Sequence, residues 1–116
     1  MAVSKTLQKT VSVGGTGAQD PDFVVDAGAY RYVAARLKCE GVSGSGSIVV
    51  TLQHAAVEDD SEFEDLITFD TITDGSSFPT IDIKTSEVFA RYLRWSVTTF
   101  TGITAAKINI ELVLKN

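Results

Sequence analysis

The chain holds one cysteine, one histidine, one tryptophan and two prolines in 116 residues, and each shortage removes a class of protein. A single cysteine, Cys39, rules out an internal disulfide, so the core alone must hold the fold. A single histidine, His54, excludes any site built on two imidazoles. No apolar run approaches the roughly 20 residues of a membrane-spanning helix, and residues 1–7 lack the apolar core and cleavage site of a secretory signal. Synthesis in a cytoplasm, with no membrane partner, is therefore expected. Basic residues are also scarce, ten against fifteen acidic, for a net charge of −5. Neutralising phosphates needs a basic face, so no nucleic-acid partner is expected.

What remains is an ordinary globular composition, 44% hydrophobic and 22% charged. That length and composition suit one domain over residues 1–116 with a core of its own. The first six residues read as a flexible arm.

Alternation of apolar and polar side chains, the period of a half-buried strand, recurs along the chain. It is centred on the stretch 89–98, where Phe89, Arg91, Leu93, Trp95 and Val97 share one row and Ala90, Tyr92, Arg94, Ser96 and Thr98 the other. Leu93, Trp95 and Val97 are assigned to the core, with Arg91 carrying its charge out to water at the strand's start. Residues 7–13 read as a strand ended by Gly14-Gly15-Thr16-Gly17, and 23–26 as a short strand after an Asp20-Pro21-Asp22 turn. In 30–39 the core row is Val33, Ala35, Leu37 and Cys39. Residues 41–47, rich in glycine and serine, read as a hairpin loop leading into a strand over 48–54. Further strands are expected over 66–72, over 78–84 with Pro79 at a sheet edge, and over 105–114, with Gly102 marking a turn. Ser61 is placed as the cap of one helical turn. About eight short strands with almost no helix predict an all-β fold, a single antiparallel β-sandwich.

Few residues suggest chemistry. Cys39 sits in an apolar run and reads as a buried, inert thiol. His54 shares its row with Ile48, Val50 and Leu52 and reads as a strand-end histidine with a structural hydrogen bond. The segment from Glu58 to Asp65 holds six carboxylates, but their spacing does not match an EF-hand, and a solvated acidic loop is the favoured reading. The glycine clusters lack the lysine and following helix of a phosphate cradle. A glycosidase needs two carboxylates fixed across a cleft, whereas these lie on one segment. No catalytic residue, metal site or cofactor is assigned, and the chain is expected not to be an enzyme. Tyr30, Tyr32, Tyr92 and Arg94, on polar rows, are the candidate interface, either with a partner or with another copy of the chain.

The segment Thr51-Leu52-Gln53-His54, an acidic loop ending in Phe63, the run Leu66 to Phe69, and Ala90-Arg91-Tyr92-Leu93-Arg94-Trp95 before a C-terminal strand together resemble small virion proteins of tailed bacteriophages. The resemblance implies a jelly-roll-like sandwich acting as a capsid decoration or cement protein. Its partners would be the major capsid protein or other virion proteins, and it would work as a homo-oligomer located in the virion. The stretch Ala90 to Arg94 is also similar to discoidin-type, galactose-binding-like jelly rolls. This chain is shorter than those and has neither their paired cysteines nor a recognisable sugar-binding set. The alternative function is a carbohydrate-binding module, or a host-recognition or tail component.

Overall fold

The computed structural model describes residues 2–19, 24–87 and 89–116. Among these residues eight strands form one continuous antiparallel sheet: β1 (Ala2–Val13), β2 (Gly17–Ala18), β3 (Val25–Asp26), β4 (Tyr32–Ala55), β5 (Glu64–Thr68), β6 (Ile72–Thr73), β7 (Thr80–Ser86) and β8 (Tyr92–Lys115). Two of them, β4 and β8, run 24 residues each and pair with one another from Tyr32↔Lys115 to Ala55↔Tyr92. A straight strand of that length would span about 80 Å. The longest dimension of the molecule is 40 Å, so the pair folds back on itself near its middle.

The fold falls where glycine permits it. Ladder irregularities cluster between Cys39 and Ser47. Gly44 and Gly102 take φ of 94° and 76°, the left-handed region that other residues avoid. A Cβ on Gly46 would overlap the Thr101 carbonyl, and one on Gly102 would overlap the Ser45 carbonyl. Two backbones meet there with no room for a side chain. The hairpin loop expected over 41–47 and the turn expected at Gly102 are thus corrected: both segments continue as strand. A glycine-rich stretch signals either a loop or a close backbone approach, and here it is the second.

Each long strand consequently serves two layers. The first layer runs β1, β8 (105–115), β4 (32–43), β7, and the second runs β2 with β3, β8 (92–101), β4 (47–55), β5 with β6. Counted along the chain as eight arms, the first pairs with the eighth, the second with the seventh, the third with the sixth and the fourth with the fifth. A long hairpin rolled up in this way is a jelly roll, so the expected all-β, jelly-roll-like sandwich of about eight strands is the observed fold.

The core lies between the layers. Val33, Ala35, Leu37 and Cys39 from the first arm of β4 and Ile108, Ile110, Leu112 and Leu114 from β8 face Ile48, Val50, Leu52, Leu93, Trp95 and Val97 of the second layer, all buried in one cluster. The inward rows read from the sequence are the buried ones. Trp95 donates from Nε1 to Gln8 Oε1 at 3.3 Å, tying the second layer to β1. Gln19 accepts the Trp95 N–H at 2.8 Å.

Several boundaries differ from the sequence reading. From Ala2 onward the expected arm is part of β1, paired from Ala2↔Lys115 to Thr6↔Glu111, because its hydrogen-bond partners lie more than a hundred residues away and leave no local signal. The Asp20-Pro21-Asp22 turn and Phe23 lie outside the described residues. The strand expected over 66–72 is split into β5 and β6, with Phe69 turned into the core and its N–H donating to the Val50 carbonyl at 3.0 Å. Pro79 immediately precedes β7, an edge strand, as expected.

The elbow gives a direct test. Gly46→Ala and Gly102→Ala are expected to cost about 3 kcal/mol or more, or to prevent folding, because neither the backbone nor its neighbour can move aside. Gly41→Ala, at a site with open space around the glycine, is expected to be neutral or to stabilise by up to about 1 kcal/mol. Urea unfolding of the three variants measures the contrast.

Candidate functional site

The single histidine is an anchor. His54 Nδ1 accepts the Ala90 N–H at 2.9 Å, holding the entry to β8 against the end of the second arm of β4, which is the structural hydrogen bond expected of it. Cys39 is buried, and burial pushes its thiol pKa up, away from the nucleophilic thiolate.

The acidic segment is a fastened loop. Asp60–Glu62 form one 3-10 turn. Its cap is Asp59 rather than Ser61, correcting the sequence reading: Asp59 Oδ1 accepts the Ser61 N–H at 3.0 Å and the Ser61 hydroxyl at 2.8 Å. Those bonds, the backbone one first, lower the Asp59 pKa. Asp is the stronger cap here because its charged oxygen can take both donors at once.

Arg94 fastens this loop to the outward side of the second layer. Its Nε donates to Gln53 Oε1 at 2.9 Å and its Nη1 to Asp60 Oδ1 at 2.8 Å, while the guanidinium lies 4.1 Å over the Phe63 ring. Gln53 Nε2 in turn donates to Asp65 Oδ1 at 3.0 Å. Only 11% of the Arg94 side chain is exposed, so its main contacts are within the chain. Glu58, Glu62 and Glu64 have no internal partner among the described residues.

The three tyrosines of the candidate interface do not form one platform. Tyr30 is half-buried against the core and borders an open hollow with Lys5, Asp26 and Arg91. Tyr32 is on the first layer with Lys115 Nζ 4.4 Å over its ring. Tyr92 is on the second, with the Arg91 guanidinium 5.1 Å over its ring. A sugar would need those ring faces for stacking.

A different surface stands out. Along β7 the register sets Thr80, Asp82 and Lys84 opposite Cys39, Leu37 and Ala35, which are core positions, and so turns Ile81 and Ile83 outward. The polar inward residues are satisfied at the sandwich edge: Asp82 Oδ2 accepts the Asp70 N–H at 2.8 Å, and Lys84 lies 3.1 Å from Asp70 and 3.7 Å from Asp82. Ile81 and Ile83 are left 49% and 61% exposed, and Val113, on the same outer face, 38%. Cross-strand rows run Thr6, Glu111, Arg36, Ile83 and Ser4, Val113, Ala34, Thr85. This face also carries Arg36, Lys38, Lys107 and Lys115 against Glu111 and Glu40, so it is net basic on a chain of net charge −5. The alternation over 78–84 was visible in the sequence. The face it presents depends on a register set by β4.

No protein family matches the chain, and no curated protein matches it. Among solved structures, the chain is similar to a protein of the disulfide-linked pili of Bacillus endospore appendages, at 10% identity, with 98% of this chain and 88% of that chain covered and a TM-score of 0.48. It is also similar to PirA, at 8% identity, with 99% and 93% covered and a TM-score of 0.40. Both scores fall below 0.5, so function rests on this chain's own residues.

Two outcomes are expected. Asp26 accepts Arg91 Nε at 3.0 Å and Nη2 at 2.8 Å and the Gly28 N–H at 3.0 Å, bonds that lower its pKa from 3.8 to about 2, the Arg91 bond contributing most. A carboxylate depressed in the folded state stabilises it above the unfolded pKa, and the gain is lost as pH falls through the folded value. Asp26→Asn should therefore lower the thermal midpoint at pH 6, with the difference from the wild type closing between pH 4 and pH 2. Arg94→Gln should cost about 1–3 kcal/mol and speed amide exchange across residues 58–63, read by mass spectrometry.

Proposed function

We propose that the chain is a non-enzymatic structural protein that works through a protein contact, and specifically a capsid decoration or cement protein of a tailed bacteriophage. The observation that carries the contact role is the outer face of the first layer, which holds three of the four exposed large hydrophobics among the described residues, Ile81 and Ile83 on β7 and Val113 two strands away on β8. Aliphatic side chains left in water on a sheet otherwise built to hide them are what a partner surface covers.

Three of the side chains that could perform chemistry have structural tasks. His54 holds Ala90, Asp26 holds Arg91 and Gly28, and Arg94 holds the acidic loop. The virion assignment rests on the resemblance of the stretch from Ile48 to the C-terminal strand to small phage virion proteins. A protein that binds only the assembled head stabilises it by mass action, to an extent set by affinity and occupancy.

In the test, purified protein is mixed with heads of the parent phage from which it is absent, and the heads are then heated. Binding near the copy number of the major capsid protein, with a higher temperature of DNA release, is expected. Heads that neither retain the protein nor gain heat resistance would rule out decoration. Binding at only a few copies per particle would move the assignment to a head-completion or tail component.

A further inference from the structure

We infer that the outer face of the first layer receives the acidic segment of a second copy of this chain, so that copies associate head to tail. The inference rests on reading that face as a contact surface and names its partner.

The fourth exposed large hydrophobic among the described residues is Val57, 53% exposed at the start of the acidic segment. It is followed by Glu58, and the loop goes on to Glu62, two carboxylates with no internal partner among the described residues, before Glu64 opens β5. The chain therefore carries two exposed surfaces of matching chemistry: an aliphatic face where, with Arg36 beside Glu111 and Lys38 beside Glu40, Lys107 and Lys115 are in surplus, and an aliphatic-tipped loop with surplus carboxylate. Apposing them covers Ile81, Ile83, Val113 and Val57 together and brings opposite charges within a screening length.

They cannot meet within one copy. Arg94 fastens the acidic loop to the outward side of the second layer, while the aliphatic face is the outward side of the first. Two complementary surfaces on opposite sides of a sandwich produce a heterologous contact, which propagates from copy to copy. Pairing edge to edge through β7 is opposed by Asp82 and Lys84 on its inward row, charges that an added strand would have to desolvate.

The contact is small. Four strands spaced about 4.8 Å apart and seven residues long present a face on the order of 400 Å², half of the roughly 800 Å² per partner of a standard stable interface. Association is therefore concentration-dependent and salt-sensitive.

Light scattering on the purified full chain, from about 10 μM to about 1 mM, tests this in about 20 mM and about 500 mM NaCl. The weight-average mass should rise at least about twofold above the monomer at the top of the range in low salt and return towards it in high salt. Two multiple variants separate the surfaces. One carries Ile81→Thr, Ile83→Thr and Lys107→Glu, and the other carries Val57→Ser, Glu58→Lys and Glu62→Lys. Each alone should remain monomeric, whereas an equimolar mixture should form a one-to-one complex, because each supplies the surface the other lacks.

A wild type that stays monomeric in low salt at every concentration overturns the inference without recourse to the variants. So does a loop variant that self-associates like the wild type, as a face-to-face dimer would, or a mixture that stays monomeric. A monomeric protein that still coats phage heads would sink head-to-tail association alone. Self-association without head binding would sink the virion assignment alone.

Discussion

Everything in this fold depends on two backbones being able to touch. At Gly44, Gly46 and Gly102 the long strands β4 and β8 turn back together, and a single methyl group at Gly46 or Gly102 would occupy space already taken by a carbonyl. With that approach allowed, one 24-residue ladder supplies the two central strands of both layers. The remaining strands need only add to its edges, β1 and β7 to one layer and β2, β3, β5 and β6 to the other. A sandwich of separate sheets must bring two independent ladders into register. Here hydrogen bonds carry the register of one layer into the other, across an irregular but continuous ladder.

The elbow also explains how few special residues the core requires. Alternation along β4 and β8 reads inward on both sides of the bend, so aliphatic side chains from all four arms converge on a single cluster that includes Trp95. No disulfide or second histidine takes part. Among the described residues the buried polar side chains are few: Gln19 supports the Trp95 backbone, and Thr51 and Ser96 lie side by side on the central pair of the second layer, while Asp82 and Lys84 close the sandwich edge half-buried beside Asp70.

The same economy leaves the two outer surfaces with opposite characters. On the second layer, Arg94 draws the acidic loop down across the sheet. On the first, Ile81, Ile83 and Val113 are left exposed, and the charges among them are mostly basic. A chain whose overall balance is acidic thus holds a basic face, a feature that net charge conceals. Field and contact are set by where charges stand on the surface rather than by their sum.

From the sequence by itself came the fold class, the inward rows of β4 and β8, the buried Cys39 and the anchoring role of His54. Each depends on local periodicity, and a half-buried strand writes its buried face directly into alternate residues. Other features needed contacts distant along the chain. Whether the glycines of 41–47 opened a loop or a bend was settled by the strand that came to lie against them. Ala2 to Thr6 became strand because residues 111–115 lie alongside. Arg94 was drawn into an internal network by Asp60, Gln53 and Phe63, and Ile81 and Ile83 faced outward because pairing with β4 assigned the inward row to Asp82 and Lys84. A one-residue choice of register exchanges the two faces of a strand, and only the assembled sheet makes that choice.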